Sequence, residues 1–483
     1  MGDPDLGAAV ARPGGGVARP ARHVVVVGGG IAGLAAAWSL RQHGGDTVRV
    51  TVLEGSRRIG GKLRVSDLAG VPVDEGAESL LLRRPEALDL AAAAGLDLEP
   101  AATTTAQVWS RGELRPLPAG TVMGIPADLR SLAATGLLTT GEMARIPVDS
   151  WLPRTRLRGD DVAVGRYVAA RMGRAVVDRL VEPLLGGVYA GRADQLSLAA
   201  TLPQLLPQVR AERSLLAAVR ASRAASPTPP GPVFGAPVGG VGLLPDAVAR
   251  LSAAEIRTGA TVRELRRTPT GWRLTVGSTR DPEEVLADAV VLALPPAPAA
   301  RLLRAEVPAA ATELTQVRTA SMAVVALAFH RAAFAAEPDT SGFLVPPADG
   351  RAVKAVTFSS AKWGWYAAKA PDLVVVRASL GRVGEEAVLQ REDAELVDLS
   401  LADLTDALGV TDPPVDARVT RWGGGLPQYA VGHVDRVARV RTAVAAHPGL
   451  AVCGATYDGV GIPACIATAD RAAREVLRQW ARD

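Results

Sequence analysis

A chain of 483 residues is too long for one ordinary core and predicts two or more packed units. Its 48% hydrophobic and 22% charged residues fit a globular protein, and a net charge of +4 without any block of like charge argues against a nucleic-acid partner. Cys453 and Cys465 stand outside any metal-ligand spacing, so neither a metal nor a disulfide framework is expected, and a reduced, cytoplasmic setting is the simplest reading.

Residues 1–22 are rich in Gly, Pro, Ala and Arg and lack an apolar core, which predicts a disordered tail rather than a secretory signal. Residues 23–27 carry a β-branched run, the pattern of a strand buried in a parallel sheet. Glycines at 28–30 turn the chain, residues 31–42 read as a helix ending near Gly44, and residues 48–53 read as a second apolar strand closed by Glu54. Strand, glycine turn, helix and strand in succession make a βαβ unit. The apolar run 24–40 is 17 residues long and holds four glycines in a phosphate-binding pattern. That length is at the short limit for crossing a bilayer, and no other segment competes, so no integral membrane segment is expected.

From residue 84 to about 214 the texture is Leu- and Ala-rich and helical. Asp160 or Asp161 is placed to cap a helix whose apolar stripe includes Val164, Tyr167, Val168, Val176, Val177, Leu180 and Leu184, read as core. The run AASPTPPGP at 224–232 reads as a linker or surface loop. Strand patterns follow at 261–265 and 272–276, then a buried strand at 289–294 stopped by Pro295 and Pro296. Further strands at 324–329 and 374–378 accompany a helix at 393–408, and the last 30 residues return to strand, glycine turn and helix. No internal repeat is visible.

Gly28-x-Gly30-x-x-Gly33 follows a strand and opens a helix, the context in which this pattern marks a dinucleotide site. Gly28 makes the tight turn, Gly30 lets backbone amides reach a pyrophosphate, and Gly33 permits close helix–strand packing. The helix N-terminus offers partial positive charge to the phosphates. Glu54, 21 residues beyond Gly33, ends the second strand where an acid accepts hydrogen bonds from ribose hydroxyls.

The sequence Glu54-Gly55-x-x-Arg58-x-Gly60-Gly61-Lys62 resembles the extension by which flavin amine oxidases and their relatives hold FAD. Lysine at 62 keeps the charge of the commoner arginine and loses its bidentate fork. Asp74-Glu75-Gly76-Ala77-Glu78-Ser79, the run from Glu182 to Gly191 with Leu196-Ser197, and Gly239-Gly240 with Leu244-Pro245 narrow the resemblance. So do Trp422 with Pro427-Gln428-Tyr429 and Gly432-His433, and the run from Cys453 to Pro463. In this order they are similar to the protoporphyrinogen/coproporphyrinogen oxidase family over nearly the whole chain after residue 22.

The resemblance implies an α/β fold. A discontinuous Rossmann-like FAD-binding domain (23–86, 235–298 and 420–483) is expected beside a helical subdomain with part of the substrate domain (87–234) and a mixed α+β substrate domain (299–419). It places non-covalent FAD on Gly28, Gly29, Gly30, Ile31, Ala32, Gly33, Glu54, Gly55, Lys62, Gly76, Ala77, Glu78, Ser79, Val262, Trp422, Ala455, Val460, Gly461 and Ile462. Tyr429 and His433 read as structural. The implied activity is the six-electron oxidation of coproporphyrinogen III to coproporphyrin III in heme biosynthesis, with oxygen as acceptor and hydrogen peroxide released. A ferrochelatase is the implied recipient of the product. Hydride passes to the flavin, so no catalytic His, Cys or Ser is required of the chain. Arg83 and Arg84, directly after the flavin-lining segment, are candidates to meet substrate propionates. The stretch 120–151 carries Asp128, Arg130, Glu142, Arg145 and Asp149 and no long apolar run, which favours coproporphyrinogen over protoporphyrinogen IX and leaves peripheral membrane contact open. The alternatives are a protoporphyrinogen IX oxidase, a flavin amine oxidase, a carotenoid desaturase, or a binding protein that kept the fold and lost the flavin. Five Tyr and five Phe are few for the aromatic cage of an amine oxidase.

Overall fold

The computed structural model describes residues 21–155, 159, 161–225 and 231–480. Most of the predicted tail, Asp160 and the centre of the 224–232 loop lie outside the described residues.

The chain opens with β1 (Arg22–Val27), α1 (Ile31–Gly44) and β2 (Val48–Leu53). β1 and β2 run parallel with Val24 opposite Val50. Val24 and Val26 pack beneath α1, while Val25 and Val27 face Trp272 and Leu274 on the other side of the sheet. A strand covered on both faces must be apolar at every position, which is why alternation is missing here. Each buried valine contributes roughly 1.5–3 kcal/mol.

A hairpin of β3 (Gln107–Ser110) and β4 (Glu113–Pro116) precedes a helical region that contains α2 (Val164–Met172) and α3 (Glu182–Tyr189). The single helix expected over the 164–184 stripe is broken. Gly173 adopts φ +97°, open to glycine and strained for other residues, and residues 177–181 widen into a π turn before α3. Asp161 does not cap α2, which starts at Val164 without a side-chain cap. Its carboxylate instead accepts the N–H groups of Val162, Ala199 and Gly432 and the Ser197 hydroxyl, tying three segments together.

β5 (Glu255–Arg257) and β6 (Ala289–Leu292) return to the first sheet. Then come β7 (Thr319–His330), β8 (Gly342–Leu344), β9 (Val353–Phe358), β10 (Leu373–Leu380), α4 (Asp393–Leu408) and β11 (Asp416–Pro427). α5 (His433–Ala445), β12 (Leu450–Val452) and α6 (Ile462–Trp480) close the chain. The first sheet has strand order β5-β2-β1-β6-β12, all parallel, so its strands come from three separated stretches of sequence. The second has order β11-β7-β10-β9-β8-β3-β4 and is antiparallel apart from the β8–β3 pair. Residue 420, the expected domain boundary, falls inside β11 of this second sheet. One face of the second sheet packs under α4, and the other, through Ala326, Ala328 and Val375, packs on the first unit.

Arg171 on α2 is buried and bonds the Asp149 carboxylate, the Asp149 and Arg213 carbonyls at 2.8 and 3.0 Å, and the Pro153 carbonyl at 2.7 Å. Asp149→Ala would leave this guanidinium buried without its counter-charge, which costs about 3–5 kcal/mol. Breaking the exposed Arg84–Glu86 pair should cost about 1 kcal/mol or less. Urea denaturation of the two variants should show this contrast, and equal midpoints would show that the Arg171 network is solvated.

Candidate active site

At the β1–α1 turn Gly28 adopts φ +109°, and a Cβ there would meet the Ala293 carbonyl oxygen at 2.5 Å. Gly33 sits so close beneath it that a Cβ would lie 1.8 Å from the Gly28 carbonyl oxygen. Gly30 is different: the nearest heavy atom to an added Cβ is Gly61 Cα at 3.9 Å, so its backbone faces open space. α1 begins there with no side-chain cap and no acid in its first turn, which leaves the N-terminal amides and the helix dipole free for an anion. A second glycine loop closes the cradle. Gly60 N–H donates to the Gly29 carbonyl at 2.8 Å, and Arg58 holds the loop by donating to the Ile59 and Gly61 carbonyls at 3.1 and 2.8 Å.

Glu54 stands at the end of β2 as expected, its two oxygens accepting the N–H groups of Gly29 at 2.7 Å and Ser56 at 2.8 Å. Each oxygen keeps a lone pair for a ribose hydroxyl. Gly55 lies against Thr261, and the Ala260 N–H donates to the Glu54 carbonyl, which brings Val262 to this end of the cradle. The Val262 carbonyl itself accepts from Arg301 at 3.2 Å. Lys62 makes no ion pair or hydrogen bond among the described residues, and burial pushes its pKa down. An unpaired cation beside uncapped amides and an open glycine cradle fits an anionic dinucleotide.

Gly76 is the residue where the backbone comes closest to this loop, since a Cβ on it would strike the Lys62 carbonyl at 2.0 Å and Trp422 at 3.4 Å. Trp422 on β11 donates its indole N–H to the Glu75 carbonyl at 2.8 Å. Ala77 is exposed and Ser79 half-buried, but the Glu78 side chain turns into a buried cluster. Its carboxylate bonds the Lys362 ammonium, the Arg377 guanidinium and, at 2.9 Å, the Ser359 hydroxyl, while Arg377 also donates to the Gly76 carbonyl. Burial pushes the Glu78 carboxyl up, yet the two cations outweigh it and hold the pKa down at about 2. Asp74, nearby, is raised to about 7 by burial despite Arg377 and the N–H groups of Val241 and Gly242. Sequence reading missed Lys362, Arg377 and Ser359, although a lone arginine inside the apolar strand Leu373–Leu380 was a signal.

The closing segment approaches from the other side. Gly454 is next to Ala32, and its N–H donates to the Thr468 hydroxyl at 2.9 Å, while half-buried Val460, exposed Gly461 and buried Ile462 lead into α6. Tyr429 donates its hydroxyl to the Ala455 carbonyl and stacks on His433 with centroids 4.1 Å apart. His433 is 1% exposed, and neither ring nitrogen has a partner in hydrogen-bonding geometry among the described residues, although the Thr456 and Tyr457 backbone lies near. Burial pushes its pKa down to about 4, so it stays neutral and structural. Burial also pushes both thiols up, Cys465 to about 11, which makes them unreactive. Among the described residues no cluster of metal-ligating side chains occurs, and no helix is long and apolar enough to cross a membrane. Arg83 and Arg84 are exposed after the Gly76–Ser79 segment; Arg84 pairs with Glu86, and Arg83 has no partner among the described residues.

Residues 31–477 of the chain match a family model: the chain belongs to the flavin-containing amine oxidoreductases. It is a flavin-dependent oxidoreductase. Among its relatives is the coproporphyrinogen III oxidase of Mycobacterium tuberculosis strain H37Rv, 41% identical over 94% of this chain and 97% of the relative. The coproporphyrinogen III oxidase of Bacillus subtilis strain 168 is 33% identical over 94% and 98%. A solved structure from Exiguobacterium sp. 255-15, provisionally named a protoporphyrinogen oxidase, superposes with a TM-score of 0.82 at 34% identity, covering 94% of this chain and 98% of that one.

Two glycine substitutions should separate cofactor binding from folding. Gly30→Val fills space that no protein atom occupies, so the variant is expected to fold and to be colourless. Gly33→Ala drives a Cβ into backbone and is expected to give little soluble protein. A normal flavin spectrum in Gly30→Val would put the pyrophosphate elsewhere.

Proposed function

We propose that the chain oxidises coproporphyrinogen III to coproporphyrin III, using FAD held non-covalently and oxygen as the electron acceptor. The observation that carries this reading is the 41% identity with a coproporphyrinogen III oxidase along 94% of the chain. The absence of any membrane-spanning helix among the described residues accords with a cytoplasmic setting. Bound FAD supplies a hydride acceptor for the bridging methylenes of the substrate and passes the electrons on to oxygen. The α1 amides and Lys62 would hold the pyrophosphate, Glu54 the ribose, and the Gly76–Ser79 segment the flavin. Arg377 and Trp422 fix that segment from the second sheet, which would keep the cofactor in a set position against a substrate bound there. Loss of hydride leaves a cation delocalised over pyrroles, whose N–H then gives up its proton without a dedicated base. The neutral, buried His433 and the unreactive thiols agree with that economy.

Purified enzyme should therefore be yellow, release FAD on heat denaturation, and convert coproporphyrinogen faster than protoporphyrinogen, as read by porphyrin fluorescence. Each turnover of the macrocycle should yield hydrogen peroxide. Preference for protoporphyrinogen IX would overturn the substrate assignment and favour the alternative that the Exiguobacterium structure's name suggests.

Arg83 and Arg84 remain the proposed propionate contacts at the outer end of the strand. A partly shielded charge-assisted bond is worth about 1.5–3 kcal/mol, so Arg83→Ala/Arg84→Ala should raise KM for coproporphyrinogen about tenfold with little change in kcat. Salt should weaken the effect, and Arg83, the unpaired member, should carry most of it. Unchanged kinetics would return the pair to the solvated surface.

A further inference from the structure

Lys354 on β9 is 3% exposed, yet it has no carboxylate partner among the described residues. Its ammonium donates to the Gly381 carbonyl at 3.0 Å, and its one other polar neighbour among the described residues is Met322 Sδ, at 3.8 Å. Met322 pairs in register with Trp422 across β7 and β11, and Trp422 packs on Gly76. A line of contacts therefore runs from the Gly76 segment through Trp422 and Met322 to Lys354.

The surroundings are short of negative charge at this position. Arg382 and Arg192 share Glu385, and Arg192 also lies 3.8 Å from Glu182. Glu182 in turn accepts the Ala193 N–H at 2.7 Å. Three cations thus face two carboxylates, both engaged by the arginines. Burial, then Arg382, pushes the Lys354 pKa down to about 7, against the pull of Glu385. A buried cation without a counter-ion is costly, and such groups concentrate where a ligand completes the charge.

The face that carries Met322 is lined beside Lys354 by small or half-buried side chains. Ser379, Ala355 and Leu344 stand next to one another across β10, β9 and β8. Opposite them α3 presents Gly187, whose added Cβ would lie 3.4 Å from Leu344, and Val188, which is 43% exposed although it lies on the most apolar helix of the region. Three strand spacings separate β11 from β9, roughly 14 Å. That is a span suited to a tetrapyrrole disc reaching from the flavin edge with one acidic arm extended.

We propose that Lys354 binds a propionate carboxylate of the porphyrinogen where α3 faces the second sheet, with the flexible Met322 thioether moving aside to admit it. This inference rests on the coproporphyrinogen reading above. It assigns to the chain a carboxylate site on a different element from Arg83 and Arg84, and a substrate with several propionates needs more than one.

The test uses holoenzyme carrying Lys354→Met, which fits the apolar surroundings, and Lys354→Gln, which keeps a donor for Gly381. Turnover of coproporphyrinogen is compared with fluorescence titrations of coproporphyrin III and its tetramethyl ester, and with melting temperature. KM and the coproporphyrin Kd should rise about tenfold or more in both variants, with kcat within about twofold and ester affinity equal to wild type. The Met variant should melt no lower than wild type, because an uncompensated buried charge has been removed. A lower melting temperature with unchanged KM would make Lys354 a structural cap on Gly381 and overturn the proposal. So would equal weakening of acid and ester, or unchanged binding of both. Failure of wild type to oxidise coproporphyrinogen would instead remove the substrate reading, while the acid-against-ester comparison would still decide the role of Lys354.

Discussion

Glu78 and its two buried cations are the interaction on which the site depends. Lys362 and Arg377 belong to the second sheet and its following helix turn, hundreds of residues from Glu78 in sequence. Their bonds pull the Glu75–Ser79 segment against that sheet, and the Arg377 bond to the Gly76 carbonyl fixes the segment where it passes Lys62. Removing the carboxylate would strand two charges away from water, so the cluster tolerates no partial loss. Its energetic worth to folding is modest against an apolar replacement; its value lies in geometry.

The same logic extends along β11. Trp422 donates to the Glu75 carbonyl and Thr420 to the Glu75 carboxylate, which Arg64 also pairs at 3.0 Å. One short segment is therefore held from two strands, Glu75 by β11 and Gly76 and Glu78 by Arg377 of β10. A redox enzyme whose cofactor performs the bond breaking gains most from this kind of rigidity, because hydride transfer is sensitive to donor–acceptor distance. Rigid positioning replaces acid–base groups, which accords with a neutral His433 and two thiols pushed out of the reactive range.

Charge is distributed with equal economy. The glycine cradle offers backbone amides and one buried amine, while the second sheet and its neighbours gather Arg192, Arg382 and Lys354. Along α2 and α3, the helical unit is kept in place by Arg171 on Asp149 and by Asp161 bridging three segments. Both are long-range bonds from short polar or charged side chains, invisible to any periodicity.

What the sequence determined by itself was local. A β-branched run, three spaced glycines and an acid at the next strand end leave the backbone few options, so β1, α1, β2 and the tight glycine turn were legible. Lys62, Trp422 and the closing segment were singled out through resemblance. The stripe at 164–184 misled, because hydrophobic spacing persists through a break at Gly173 and a π turn that only packing enforces. Asp161 read as a cap, since its preference for amides is local, but its partners were chosen by the fold. The tertiary structure alone decided that Glu78 faces Lys362 and Arg377, that β11 belongs to the second sheet, and that Lys354 is buried without a carboxylate partner among the described residues. Each depends on which residues meet across hundreds of positions, and that is set by how two sheets stack rather than by any property of the neighbouring chain.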